Sequence, residues 1–402
     1  MSNSNTPAAD SRRGGPRGAT RSGGGLSLVR STVSLEFSRL LPSLRAAHRD
    51  CGNKLDVPAD AAHALIVRTM FPKLIQQSDL LALAPTVLRN ARVKRYHGDN
   101  LAIAISEFVE NDQSVIRKLY AFLQGLFATL LGLGAERAQA LQSFLADHRL
   151  ESVVDQVGEL GPASYAARPS ALLAKTIHDV RGGGLTPLIG QLQLWKLHER
   201  DPSACDALYF LTRDHLKIMR NALLGLDDLK RNEDLEIKIH DTDFIVEKWN
   251  GALLGTGARE VRLEVTCPQP VPISECCVEF GALDRILYNL LNNACRHVAG
   301  TSIQLVLFPV PDEHGENLRF VLLNALTSAD AEHLRGIDLQ TLFHAGVSTT
   351  GSGYGLNVAA DFVANAFGLA TPEEAVAGRY IGAKVLRGQF AIWFHWPIVA
   401  EY

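Results

Sequence analysis

Three short segments hold the residue types that could do chemistry together. The first is IHDVRGGGLTPL at 177–188. The imidazole of His178 is a nucleophile, and a neighbouring carboxylate, Asp179, can take a ring proton and sharpen the other nitrogen. His178 lies beside the core residue Ile177 but off the apolar stripe of its helix, so its ring is expected to face solvent. Taken alone, the pair is weak evidence, since His–Asp pairs are common and a surface histidine is ordinarily just that. The second segment is ILYNLLNNACRH at 286–297. Ile286, Leu287, Leu290, Leu291 and Ala294 form one helical face, and Asn289 and Asn293, four apart, share the opposite one. Asparagine is a mediocre helix former. The pair is either an exposed polar face or a set of oxygen donors for Mg²⁺, with Arg296 one turn on near phosphates. In the third, at 342–363, Gly351, Gly353 and Gly355 alternate before a helix expected to begin near Leu356. Glycines let backbone approach phosphate oxygens, and a helix N-terminus attracts negative charge; a merely flexible loop would look similar.

These segments need elements to position them. Residues 1–25 are rich in Gly, Ser and Arg and predict a disordered tail. Residues 26–165 show apolar spacing of three and four, which predicts an all-helical input or docking domain. The run 119–135 is short for a membrane span and contains Gln124, so a buried core helix is expected there. Residues 169–230 predict two long helices joined by HERDPSA, with Pro187 kinking the first. Each helix carries one apolar stripe, and two such helices cannot close a core alone. A homodimer forming a four-helix bundle is therefore expected. Residues 232–402 mix short β-like runs with helices expected at 243–254, 281–297 and 355–367, which predicts a two-layer α/β sandwich. The fold class is thus multidomain α+β.

In this order the segments resemble the sensor histidine kinases. His178-Asp179-Val180-Arg181 resembles their H-box, the run from Asn289 to Asn293 their N-box, Leu342-Phe343 through Ser348-Thr349 their F-box, and Gly351 to Leu356 their G2-box. Gln389 to Trp396 resembles the last hairpin of their ATP-binding domain, and the resemblance covers about residues 169–400. It implies that 169–230 is a dimerisation and phosphoacceptor hairpin and 232–402 a GHKL-type ATP-binding domain. It further implies that His178 attacks the γ-phosphate of ATP with Asp179 as base. Asn293 would hold Mg²⁺ with Asn289 nearby, Arg296 would steady phosphate, and the glycines with Leu356 would close over the nucleotide.

Two positions depart from the family pattern. Where relatives place an aspartate followed by glycines to read the adenine amino group, this chain has FVLLNALTSAD, whose nearest polar residue is Asn324. An amide carbonyl can accept the same hydrogen bond. Gly182 stands four after the histidine, where many relatives carry the Thr or Asn that orients water for dephosphorylating a partner. Two alternatives share the resemblance: a degenerate phosphotransfer or docking protein with weak ATP binding, and a GHKL-type ATPase with another output.

The remaining expectations are bulk ones. The 402 residues are 47% hydrophobic and 21% charged with a formal net charge of −3, which argues against a dedicated nucleic-acid binder. Six scattered cysteines without zinc spacing, and no apolar leader, predict a cytoplasmic protein with reduced thiols. No receiver module is visible in the chain, so a separate response regulator is the implied partner.

Overall fold

The computed structural model describes residues 101–131, 134–197, 204–234, 238–255, 260–267, 270–275, 281–312, 315–346, 353–386 and 388–398. The expected tail 1–25, residues 26–100, most of the HERDPSA linker, Ser348, Thr349 and Gly351 lie outside these.

The first half of the described chain is helical. Helix α1 (Glu110–Leu130) buries Ile116, Leu119, Leu123, Leu126 and Leu130 at three- and four-residue steps. It packs with α2 (Gly134–Asp147) and α3 (Leu150–Gly158). No helix among the described residues is long and apolar enough to cross a membrane.

The expected two-helix hairpin is built from three helices. Helix α4 (Ala171–Arg181) starts at Ser170, whose hydroxyl accepts from the Leu173 amide, and stops at Gly182. Gly183 takes φ +40°, which breaks the run before α5 (Leu185–Leu197) begins. The expected kink at Pro187 is therefore a full break four residues earlier. Pro187 sits in the first turn of α5, where a missing N–H costs no helical bond. Helix α6 (Ala204–Ala222) follows and packs on α1, α4 and α5.

Within one chain, the apolar stripes expected to meet a second copy already meet α1 and α3. Leu185, Leu188 and Leu192 of α5 close on Leu150, Val153, Val154 and Val157 of α3 and on Phe122 of α1. Leu173, Val180, Leu208, Ile218 and Met219 are each 2% exposed or less within the single chain. The helices preceding the hairpin cover these residues within one chain.

The second half is a mixed six-stranded sheet. Its strands are β1 (Leu253–Gly255), β2 (Glu260–Thr266), β3 (Ser302–Asp312), β4 (Gly315–Ala325), β5 (Ile381–Leu386) and β6 (Gln389–Pro397), in spatial order β1-β2-β3-β4-β6-β5. Only β2 and β3 pair in parallel; the other neighbours are antiparallel. Against one face lie α7 (Asp243–Trp249), α8 (Gly281–His297) and α9 (Gly355–Ala366). Alternation along the strands sends Ile303, Leu305 and Leu307, then Leu318, Phe320 and Leu322, then Phe390, Ile392 and Phe394 toward these helices. The helix expected over 243–254 ends at Trp249, because Gly251 turns the chain at φ +82° and the rest becomes β1. The other two helices match their expected limits to within a residue. Buried apolar residues from Ile105 to Trp396 form one continuous core across both halves.

Candidate functional site

Helix α8 meets the end of α4 through a polar stripe spaced one turn apart. Arg285, Asn289 and Asn292 recur at i, i+4 and i+7, so they lie on one face. Arg285 pairs with the Asp179 carboxylate and rests over the Phe362 ring at 4.3 Å. Asn289 donates from Nδ2 to the Arg285 carbonyl at 2.9 Å, which leaves Oδ1 facing His178 Nε2, also at 2.9 Å. An amide oxygen only accepts, so Nε2 carries the ring proton in this arrangement. Asn292 Nδ2 donates to the Gly183 carbonyl at 2.9 Å, clamping the glycine break itself.

Two sequence expectations change here. His178 does not face open solvent; its ring lines a cavity between α8, α9 and the sheet. Asp179 does not share that direction. Adjacent helical residues diverge by about 100°, so with His178 on the cavity its neighbour points inward. Asp179 is 1% exposed, engaged by Arg285, with Oδ1 sealed and unpaired among the described residues.

The cavity encloses about 300 Å³ and gathers most of the sequence-selected residues. Asn293, Arg296, Asn324, Gly353 and Leu356 all line it alongside His178 and Asn289. Gly355 opens α9 so close to the histidine that a Cβ there would sit 3.1 Å from Asn289 Oδ1 and 3.3 Å from His178 Nε2. A side chain there would push the Asn289 amide or the His178 ring aside by a few tenths of an ångström. Helix α9 is held in turn by the Lys175–Asp361 ion pair to α4 and by Asn357 Nδ2 donating to the Phe343 carbonyl at 2.8 Å.

Sequence reasoning missed several cavity residues. Gly182, Gly183 and Thr186 line it because the break turns the chain there. Asp330 and His333 reach it from the short helix Ser328–Leu334, and Leu326, Phe390 and Ile392 form an apolar wall. The triple glycine was the available signal for the first group; nothing in the local pattern marked the second.

Asn324 and Asn293 bear on what the cavity could hold. Asn324 occupies an inward position of β4, level with Ile303 on one side and Phe390 on the other, where its neighbours two and four back are Leu322 and Phe320. It is 2% exposed, yet its Oδ1 has no hydrogen-bond partner among the described residues. A buried carbonyl oxygen without a partner, on a residue that lines the cavity, suits a ligand that brings an N–H. Asn293 makes no hydrogen bond among the described residues and is half-buried on the cavity wall. No group of three His, Cys, Asp or Glu among the described residues could hold a metal ion. A cation here would therefore depend on amide oxygen, ligand phosphates and water, which is the pattern Mg²⁺ accepts.

Behind α8 lies a second polar cluster, sealed from the cavity. Lys248 of α7 bridges Asp214 of α6 at 2.6 Å and Asp284 of α8 at 2.5 Å. Lys217 lies 3.7 Å from Asp284, and the Tyr288 hydroxyl donates to Asp214 at 2.7 Å. Burial would raise both acids. For Asp214 the cations Lys248, Arg213 and Lys217 overcome it and bring the acid down to about 2. For Asp284 burial wins, reinforced by the Asp214 charge, and the acid rises to about 6. Burial likewise pushes the neighbouring His215 ring down to about 4, against the opposing pull of the Val180 backbone, Asp179 and Asp214.

Neither a protein-family model nor a curated protein matches the chain. Solved structures do match. Full-length ShkA in complex with AMPPNP shares 16% identity over 74% of this chain and 47% of its own, with a TM-score of 0.30. The Acinetobacter baumannii histidine kinase AdeS shares 17% identity over 54% of this chain and 96% of its own, with a TM-score of 0.24. This chain thus spans about half the length of ShkA. At these values the likeness carries no argument about activity, which must come from the residues themselves.

Proposed function

We propose that the protein is a cytoplasmic histidine kinase that autophosphorylates His178 from Mg-ATP and passes the phosphoryl group to a response-regulator aspartate. One observation carries the reading. The His178 imidazole stands in a cavity with Asn289, Asn293, Arg296 and Gly355, and all come from one chain. Acceptor and candidate nucleotide residues stand within one chain, which supports transfer inside a single subunit of the expected homodimer.

The chain's own residues would act as follows. Leu326, Phe390 and Ile392 pack a flat base while Asn324 Oδ1 accepts from its amino group. Arg296 and the α9 N-terminus at Gly355 draw the phosphates toward His178. Bound Mg²⁺, held by Asn293, would supply charge neutralisation on the phosphates. His178 must release Asn289 and take the tautomer protonated at Nδ1 before the Nε2 lone pair can reach phosphorus, and after transfer the cationic ring loses that Nδ1 proton. The nitrogen–phosphorus bond then forms as the bridging P–O bond breaks, its electron pair leaving with ADP. Asp179, paired with Arg285, orients α4 in this state and would need to leave Arg285 to take a proton.

That last requirement favours the alternative reading as well. The capped Nε2 and the occupied Asp179 equally suit a degenerate phosphotransfer or docking protein with weak ATP binding. Incubating wild type and His178→Gln with γ-labelled ATP separates them. The kinase reading expects acid-labile, base-stable label on wild type, none on the variant, and unchanged nucleotide binding by both. Nucleotide turnover without protein label would point to the ATPase reading instead.

A further inference from the structure

We infer that the base-reading position of the cavity, Asn324, accepts either purine, so the protein uses guanine as well as adenine nucleotides. The inference rests on the cavity being the nucleotide site. It starts from the geometry of the Asn324 side chain. The residue lines the cavity at 2% exposure, and its Oδ1 has no partner among the described residues. Its Nδ2 has one contact, to the Ala325 carbonyl at 3.5 Å, at the outer limit of a hydrogen bond. A half-turn about the terminal side-chain torsion exchanges Oδ1 and Nδ2 at the same place, and that contact is too long to resist it.

The two orientations match the two purines. With Oδ1 foremost, the amide accepts from the adenine 6-amino group while Nδ2 donates to N1. Turned over, Nδ2 donates to the guanine O6 while Oδ1 accepts from N1–H. A carboxylate has no donor and would face O6 with repulsion. The apolar wall adds no preference, because Leu326, Phe390 and Ile392 offer the same surface to any flat ring. No charged side chain is hydrogen-bonded to the Asn324 amide among the described residues to fix its orientation.

Equilibrium titration of the full chain with Mg-ATP and Mg-GTP tests this. Wild type should bind both within about threefold of each other, and Asn324→Asp should tighten ATP about fivefold while weakening GTP tenfold or more. Asn324→Ser, which keeps a small donor and acceptor, should stay unselective and guards against a misfolded aspartate variant. A wild-type preference for ATP beyond about thirtyfold overturns the inference and leaves the nucleotide site standing. So does an ATP/GTP ratio unmoved by the aspartate. Failure to bind either nucleotide overturns both.

Discussion

Helix α8 faces two polar regions that handle their groups in opposite ways. Toward α6 and α7 it presents Asp284 to Lys248 and Lys217, with Asp214 and Tyr288 closing the cluster, and every member of that set is 4% exposed or less. Toward the cavity it presents the amides of Asn289 and Asn293 with Arg296 one turn on, and Gly355 leaves a gap opposite. In the cluster the full charges are sealed and paired with one another. On the cavity side stand groups with bonding capacity to spare. A buried charge tolerates no interruption of its pairing, whereas an amide can exchange a protein partner for a ligand at modest cost.

Breaking the sealed cluster should have the largest effect. Lys248→Met strands two buried carboxylates and should cost about 3–5 kcal/mol in denaturant unfolding. Lys248→Met combined with Asp214→Asn and Asp284→Leu should recover much of that loss. A cost below 1 kcal/mol for the single variant would mean that water reaches the cluster.

The next effect is on pH. His215 has a folded-state value near 4, below its ordinary 6.5, so its stabilising contribution is present above 6.5 and lost as pH falls toward 4. Asp284 has a folded value near 6, above its ordinary 3.8, so its contribution is present below 3.8 and lost as pH rises through 6. Between about 4 and 6 the two slopes oppose. Asp284→Asn removes one of them, so stability of the variant should fall more steeply with acid than wild type, by about 1.4 kcal/mol per pH unit. Parallel pH profiles of unfolding free energy would refute the assignment.

At the cavity the expected effects shift from stability to chemistry. Gly355→Ala pushes into Asn289 and His178 but favours the α9 helix, so melting should hold or rise while phosphoryl incorporation falls about tenfold. A matching loss of both would make Gly355 structural. Smallest of all, Lys230→Ala removes an exposed i,i+3 pair with Glu233 and should change stability by less than about 0.5 kcal/mol.

How far the sequence speaks differs between these regions. The limits of α8 were legible because its apolar residues keep helical spacing without interruption, and Asn324 stood out as a polar residue among apolar ones. The cover over the α5 stripe was not legible. Periodicity says which face is apolar, while the residues that meet it, 150–157, come from some thirty positions earlier and carry no mark of their destination. The divergence of Asp179 from His178 follows from helix geometry alone and was available; the pairing with Arg285, 106 residues away, was not. The four groups of the Lys248 cluster look in sequence like ordinary surface charges.

The glycine break after Arg181 has one further consequence. It makes His178 part of the last turn of α4, with its ring folded toward Gly182, while Nε2 points at the first residue of α9. A phosphoryl group leaving a nucleotide for Nε2 would remain in the field of the same α9 amides before and after transfer. That field would not drive the step in either direction. The carbonyl end of α4 would tilt it back by about 0.3–1 kcal/mol. The fold's own field would therefore leave the direction of transfer to the chemistry of donor and acceptor, such as withdrawal of ADP or arrival of the next acceptor.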